Sequence, residues 1–359
     1  MPLTPSRNEL ALLNSLAGGH ALIFTNTLDV LNVDESELST WGAEGALRAT
    51  FIREVLRGLH VPLNTIDPHG IQVSGARIEG LLDLNHVSTL LPINFTACLF
   101  AGGLTAVSSD IARLNMAASV ILAPLAGRPE SVILQDARIR GQLNLSKVKI
   151  TNTTAAALNA DGCVIDGDAF LNDGFEARGH GPTSAVRFLG AQITGQLGMS
   201  GAKLINLAGP ALSCDNADMG ALFIDESFTA IGRGREGTVR LPHSHIRGQF
   251  VASGATIHNP EGLALHANSA TFDGGVYLNS AFVATAKSVG GGVRFMGARF
   301  LREVDLTNSD ISDADGPALL LDDAQIAGAL LFGSGFSASG SGAGDAFASS
   351  ARRLQASLR

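Results

Sequence analysis

The chain has 359 residues, 45% of them apolar and only 16% charged, with a net charge of −8. That balance excludes a disordered chain and argues against a general nucleic-acid binder, which would be basic. No run approaches the roughly 18 apolar residues of a membrane span, and three scattered cysteines, Cys98, Cys163 and Cys214, are too few for a disulfide framework. The reading is a reduced, cytoplasmic protein without a secretory leader.

Residues 1–66 read as a helical N-terminal cap. Ser6 and Glu9 have the spacing of a capping box ahead of "LALLNSLA", and Gly18–Gly19 stop that helix. Leu47, Phe51, Ile52, Val55, Leu56 and Leu59 then form one apolar stripe at helical spacing, bounded by Pro62.

Residues 67–337 repeat one nonapeptide. "ARIEGLLDL" (76–84), "ARIRGQLNL" (137–145) and "AQITGQLGM" (191–199) are three of ten copies of small–x–apolar–x–Gly–x–apolar–x–apolar. The glycine position falls at 80, 112, 141, 167, 195, 220, 248, 274, 302 and 328, so successive copies lie 25 to 32 residues apart. A constant internal period of this size means a solenoid. Apolar and polar positions alternate, which is a strand period. The constrained letters point inward and stack copy on copy, and the varied letters face out. Shorter apolar pairs such as "SKVKI" and "AVRFL", separated by loops such as "RGHGPTS" and "NPEG", supply the rest of each coil, two to four short strands in all. The glycine is read as a tight corner near solvent, because Arg302 replaces it in the ninth copy.

Residues 338–359 read as a Gly/Ser-rich linker followed by a short helical tail, "AFASSARRLQASLR", in which Phe347, Leu354 and Leu358 are apolar. The fold expected is all-β, a right-handed parallel β-helix of about ten coils behind a helical cap.

The texture "GA-x-[ILF]-x-G" and the patch "ALNADGCVIDGDAFLNDGF" (157–175) resemble the pentapeptide-repeat proteins over about residues 70–337. The resemblance implies the right-handed parallel β-helix. It also brings an activity known in that family, mimicry of duplex DNA to act on DNA gyrase or topoisomerase, and dimerisation through the C-terminal end. The coils here are longer than the family's, and the second letter of the pentad is seldom Asp or Asn.

Mimicry needs rows of outward carboxylates. The second and fourth template positions instead mix Arg77, Arg138, Arg140 and Arg247 with Asp110, Asp166 and Asp218. Asp166 with Asp168, and Asp322 with Asp323, are the acidic pairs that a carbohydrate-active β-helix enzyme would use; short loops, one Trp and one Tyr leave such an enzyme without sugar platforms. "GRGREG" (232–237) matches a dinucleotide fingerprint but sits in a loop between strands, not in a βαβ unit. His243, His245, His258 and His266 lack a completing thiolate or carboxylate, and the cysteines occupy small-residue positions. No catalytic residue, cofactor or metal is expected.

The eighth template position carries the functional expectation. It reads Asp83, Asn115, Asn144, Phe170, Gly198, Phe223, Val251, Tyr277, Asp305 and Leu331, turned to solvent yet apolar over much of its length. Phe170, Phe223, Val251, Tyr277 and Leu331 are the candidate contact surface for a protein partner, unless the N-terminal helices or the tail fold over them. The function expected is non-enzymatic binding or scaffolding, with no direct nucleic-acid contact.

Overall fold

The computed structural model describes residues 2–24, 29–34, 36–124, 130–341 and 347–348. The described residues form a parallel β-solenoid of about 11 turns with two short α-helices. Its construction follows from pairs of inward residues two apart. In one coil the pairs are Val132/Leu134, Ala137/Ile139, Leu143/Leu145 and Val148/Ile150, all buried. Only two or three residues separate one pair from the next, so the backbone turns a corner after each and the coil has four sides.

Among the described residues every strand pairing is parallel, and the sides stack into three sheets of 20, 12 and 11 strands, here sheets 1, 2 and 3. In the coil above, Val132–Ile133 lie in sheet 3, Arg138–Ile139 and Leu143–Asn144 in the leading and trailing halves of sheet 1, and Lys149–Thr151 in sheet 2. A loop then leads back to sheet 3 at Leu158–Asn159. Each coil's backbone bonds to the coils on either side. The interior is one apolar cluster from Leu12 to Leu330; near its C-terminal end Phe272 and Phe300 stack with ring centroids 5.0 Å apart.

Nine of the ten nonapeptides fall in register on sheet 1, and the first does not. Arg77–Glu79 belong to sheet 2 and Leu82–Asp83 to sheet 3, paired with Leu104–Thr105. The segment in the expected place is "VSTLLPINF" (87–95), where Ser88–Thr89 pair with Asp110–Ile111 and Ile93–Asn94 with Leu114–Asn115. The physical reason is a corner. Between sheets 2 and 3 only three residues separate Ile78 from Leu82, whereas seven separate Ile150 from Leu158. In the first coils that corner is as tight as the glycine corner, so its sequence imitates the template.

The glycine corner is a tight bend that a Cβ would obstruct, and the obstruction comes from the neighbouring coil. Gly167 N–H donates to Gly141 O (3.1 Å), Gly195 to Gly167 (3.0 Å) and Gly274 to Gly248 (3.1 Å), a glycine-to-glycine ladder between coils. A Cβ on Gly274 would stand 2.3 Å from Gly248 O. Close backbone approach, rather than a left-handed turn, selects glycine there.

The cap is helix and strand together. Helix α1, Arg7–Gly18, opens with the capping box: Glu9 N–H donates to Ser6 Oγ and Ser6 N–H to Glu9 Oε2. Glu9 then accepts from Arg48 Nε at 2.8 Å. Helix α2, Ala49–Leu56, buries Phe51, Ile52, Val55 and Leu56, while Leu59 lies past its end and is exposed. Leu47, counted above in the helical stripe, is instead in a strand, Ala46–Arg48, that pairs with Arg77–Glu79. Leu22–Ile23 likewise extend sheet 1. The edge of the first coil is thus hydrogen-bonded rather than left open. No helix among the described residues is long and apolar enough to cross a membrane.

At the other end the ladders run past residue 337, where the sequence placed a linker. Ser337–Gly340 pair with Asp310–Asp313, and Phe347–Ala348, expected in a helical tail, pair as a strand with Leu319–Leu320. The rest of that tail, with Leu354 and Leu358, lies outside the described residues.

Candidate functional site

The trailing half of sheet 1 presents one outward side chain per coil. Register places Phe170 beside Gly198, then Phe223, Val251, Tyr277, Asp305 and Leu331 in an unbroken column. Six steps at the inter-strand spacing of roughly 4.8 Å give a length of about 29 Å. Asp83 is not in this column; it sits on sheet 3, where its carboxylate meets Arg53 of α2. Gln72, Asn94, Asn115 and Asn144 continue the column toward the cap.

All five apolar members are half-buried. Phe170 leans over the next coil, where a Cβ on Gly198 would come within 3.2 Å of its ring, so the glycine leaves room for the ring to lie flat. Tyr277 folds back over Gly275, and its hydroxyl donates to Glu303 Oε1 at 2.5 Å. That bond pushes the phenol pKa up and holds Glu303 below the usual carboxylate range. Asp305 interrupts the stripe. Burial acts to raise its pKa, but bonds from Thr307 and Asn279 hold it below its ordinary value.

The N-terminal segment takes a different wall. Val30 and Leu38 pack with Leu99 and Val120 on sheet 2, beside Leu31, Val33, Trp41 and Leu122. Lys149 Nζ donates to Leu31 O at 2.7 Å, and Arg77 Nη1 to Leu38 O at 2.8 Å. The strap, residues 29–34 and 36–41, therefore covers sheet 2 and not the apolar column.

The leading half of sheet 1 is charged but internally neutralised. Arg140 pairs with Asp110, Arg138 with Asp166 and Arg247 with Asp218, while His245 lies 2.8 Å from Asp273. Arg140 beside Asp110 holds that carboxyl below its usual range. Asp168 accepts from Gln196 N–H at 3.0 Å. His245, His258 and His266 belong to three different sheets, and no group of three or more His, Cys, Asp or Glu suited to a metal occurs among the described residues. "GRGREG" begins at the last residue of the strand Thr229–Gly232 and leads to the strand Val239–Arg240, without a helix. The three cysteines are buried, and burial pushes Cys98 and Cys163 each up to about 12.

Sheet 3 holds what the sequence reading missed. Its outward column runs Arg187, Ser213, Arg240, His266, Arg294 and Leu320. The signal was present as "VRFL", "VRLP" and "VRFM" on alternate coils, hidden because coils there repeat in twos.

This geometry defines a class, the parallel β-solenoid with a helix-and-strand cap. No family model, curated protein or solved structure matches the sequence.

Proposed function

We propose that the protein is a non-enzymatic binding rod that engages a protein partner through the trailing half of sheet 1. One observation carries this reading: Phe170, Phe223, Val251, Tyr277 and Leu331 share one outward column, while the N-terminal strap is committed to sheet 2. An apolar stripe of this length on a rod is a contact surface. The pairs of inward residues, recurring every five or six positions around four sides, support kinship with the pentapeptide-repeat proteins, and with it the right-handed helix.

Of the other two readings, DNA mimicry toward gyrase or topoisomerase would need free rows of carboxylates, and Asp110, Asp166 and Asp218 each have an arginine. Polysaccharide cleavage would need Asp166 and Asp168 unencumbered, and both are engaged. A cytoplasmic location and pairing through the C-terminal end accompany the binding proposal.

The test compares the wild type with Phe223→Ser and Leu331→Ser. The wild type recovers a partner that both variants lose, while circular dichroism is unchanged. Equal recovery by the variants would refute the assignment of this face.

A further inference from the structure

The wall that carries the apolar column is acidic, and its carboxylates are not paired with cations. Seven consecutive coils cross the trailing half of sheet 1 from Phe170 to Leu331, at residues 168–173, 196–201, 221–227, 249–254, 275–281, 303–308 and 329–335. They hold six carboxylates, Asp168, Asp173, Asp225, Glu226, Glu303 and Asp305, and no lysine, arginine or histidine. Asp168 accepts from Gln196 N–H, Asp225 from Ser200 Oγ, Glu303 from the Tyr277 hydroxyl and Asp305 from Asn279, while Asp173 and Glu226 are exposed. Among the described residues none of the six is in an ion pair. Arg302 and Lys203 stand past the corners on either side, Arg302 next to Glu303 and Lys203 on sheet 2.

On the leading half of the same sheet the opposite holds. There Asp110, Asp166 and Asp218 each meet an arginine, and Asp273 meets His245. The boundary along the column is as sharp. The coils with the amides Asn115 and Asn144 still carry Arg113 and Lys147; from Phe170 onward apolar side chains replace the amides and the cations stop.

The placement of charge points to the kind of partner. Outward positions alternate, so Asp168 and Glu303 lie on one margin of the column and Asp225 on the other, with Asp173 and Glu226 at the corner beyond it and Asp305 within the column. A mimic of duplex DNA would be charged along its centre, and this face is largely apolar there. We propose that the partner element is an amphipathic helix with lysine or arginine on both sides of its apolar stripe. The inference rests on the sheet 1 reading and adds the partner's chemistry to it. Spacing favours a helix. Its apolar stripe advances about 5.4 Å per turn, and that of a strand roughly 6.6–6.8 Å per two residues, against roughly 4.8 Å per coil here. A column of about 29 Å takes about 19 helical residues. The apolar centre supplies affinity, while the rim charges act chiefly on encounter rate and salt dependence.

The test measures fluorescence anisotropy of three labelled peptides of that length against the full chain. The first puts leucine on one helical face and lysine on the rest, the second replaces each lysine with glutamate, and the third scrambles the first. The wild type binds the leucine–lysine peptide saturably, more weakly as salt rises, and binds neither of the others. Asp173→Asn with Glu226→Gln, both exposed, weakens binding on the order of tenfold, and Asp310→Asn with Asp323→Asn, on other walls, leaves it unchanged. Equal binding of the glutamate peptide, or full affinity in the Asp173/Glu226 variant, overturns the basic partner; if Phe223→Ser still abolishes that binding, the sheet 1 reading stands. Equal binding of the scrambled peptide, or no binding of any peptide, overturns the helix. Binding that survives Phe223→Ser but not the Asp173/Glu226 changes overturns the apolar stripe, and this inference with it.

Discussion

Replacing Asp313 with asparagine should stabilise this fold. The loops from sheet 2 to sheet 3 carry a buried Asn on alternate coils, at 152, 206 and 259, and Asp313 takes the next place. In Asn259 the side chain works at both ends: Oδ1 accepts the Glu261 N–H at 3.0 Å, and Nδ2 donates to Gly234 O at 2.8 Å and Leu263 O at 2.6 Å. Asn206 does the same toward Gly181 O and Pro210 O. In Asp313, Oδ1 accepts from Ser288, Asp315 and Gly316 N–H, but Oδ2 is buried without a partner among the described residues. It occupies the place of a donor, at the offsets that would put Ser288 O and Pro317 O before it. Asp313→Asn relieves an unsatisfied buried oxygen, worth about 1–3 kcal/mol, and gains two bonds of about 1 kcal/mol each; neutralising the acceptor of three backbone N–H groups takes part of this back, so a net gain of about 2 kcal/mol is expected. Coils of a solenoid lean mainly on their neighbours, so the gain concentrates toward the C-terminal end. Urea denaturation, with hydrogen exchange at the Gly316 and Leu319 amides, reads it directly. Asn259→Asp should lose a similar amount. An unchanged or lowered midpoint for Asp313→Asn would refute the register argument.

Three further outcomes follow from the same geometry. Gly274→Ala forces a methyl group against the Gly248 carbonyl and should cost about 1–3 kcal/mol by thermal denaturation; no loss would contradict the close-approach account of the corner. His266 has its pKa driven from 6.5 to about 4, by burial first and then by Arg294. The unfolded ring protonates near 6.5 and the folded ring only near 4, so stability should fall by up to about 3 kcal/mol as the pH drops between those values. His266→Gln should flatten that stretch of the stability profile, and an unaltered profile would show that other groups govern it. The buried thiols of Cys98, Cys163 and Cys214 should resist a thiol-disulfide reagent in native protein and all react after denaturation; rapid native labelling would mean that the interior opens.

The column from Phe170 to Leu331 was legible residue by residue, because each coil writes the same alternation and a strand period of two fixes which letters face out. The capping box at Ser6 and Glu9 was legible for a similar reason, since a local hydrogen bond needs only local spacing. Asp83 was misassigned because a tight corner between sheets 2 and 3 spells the same nine-residue pattern as the glycine corner of sheet 1. Leu47 was misassigned because one apolar residue at helical spacing is also one inward residue of a strand.

What the sequence determined by itself was the solenoid: inward apolar pairs at constant spacing stack in only one way once each coil must bury its interior and bond its backbone to the next. Tertiary structure alone decided which wall the N-terminal strap covers, why the corners need glycine, and that Arg294 lacks the aspartate given to Arg187 and Arg240. Those facts depend on residues about 25 positions or more apart meeting across coils, and no local pattern records whether a charge in one coil has found its partner in another.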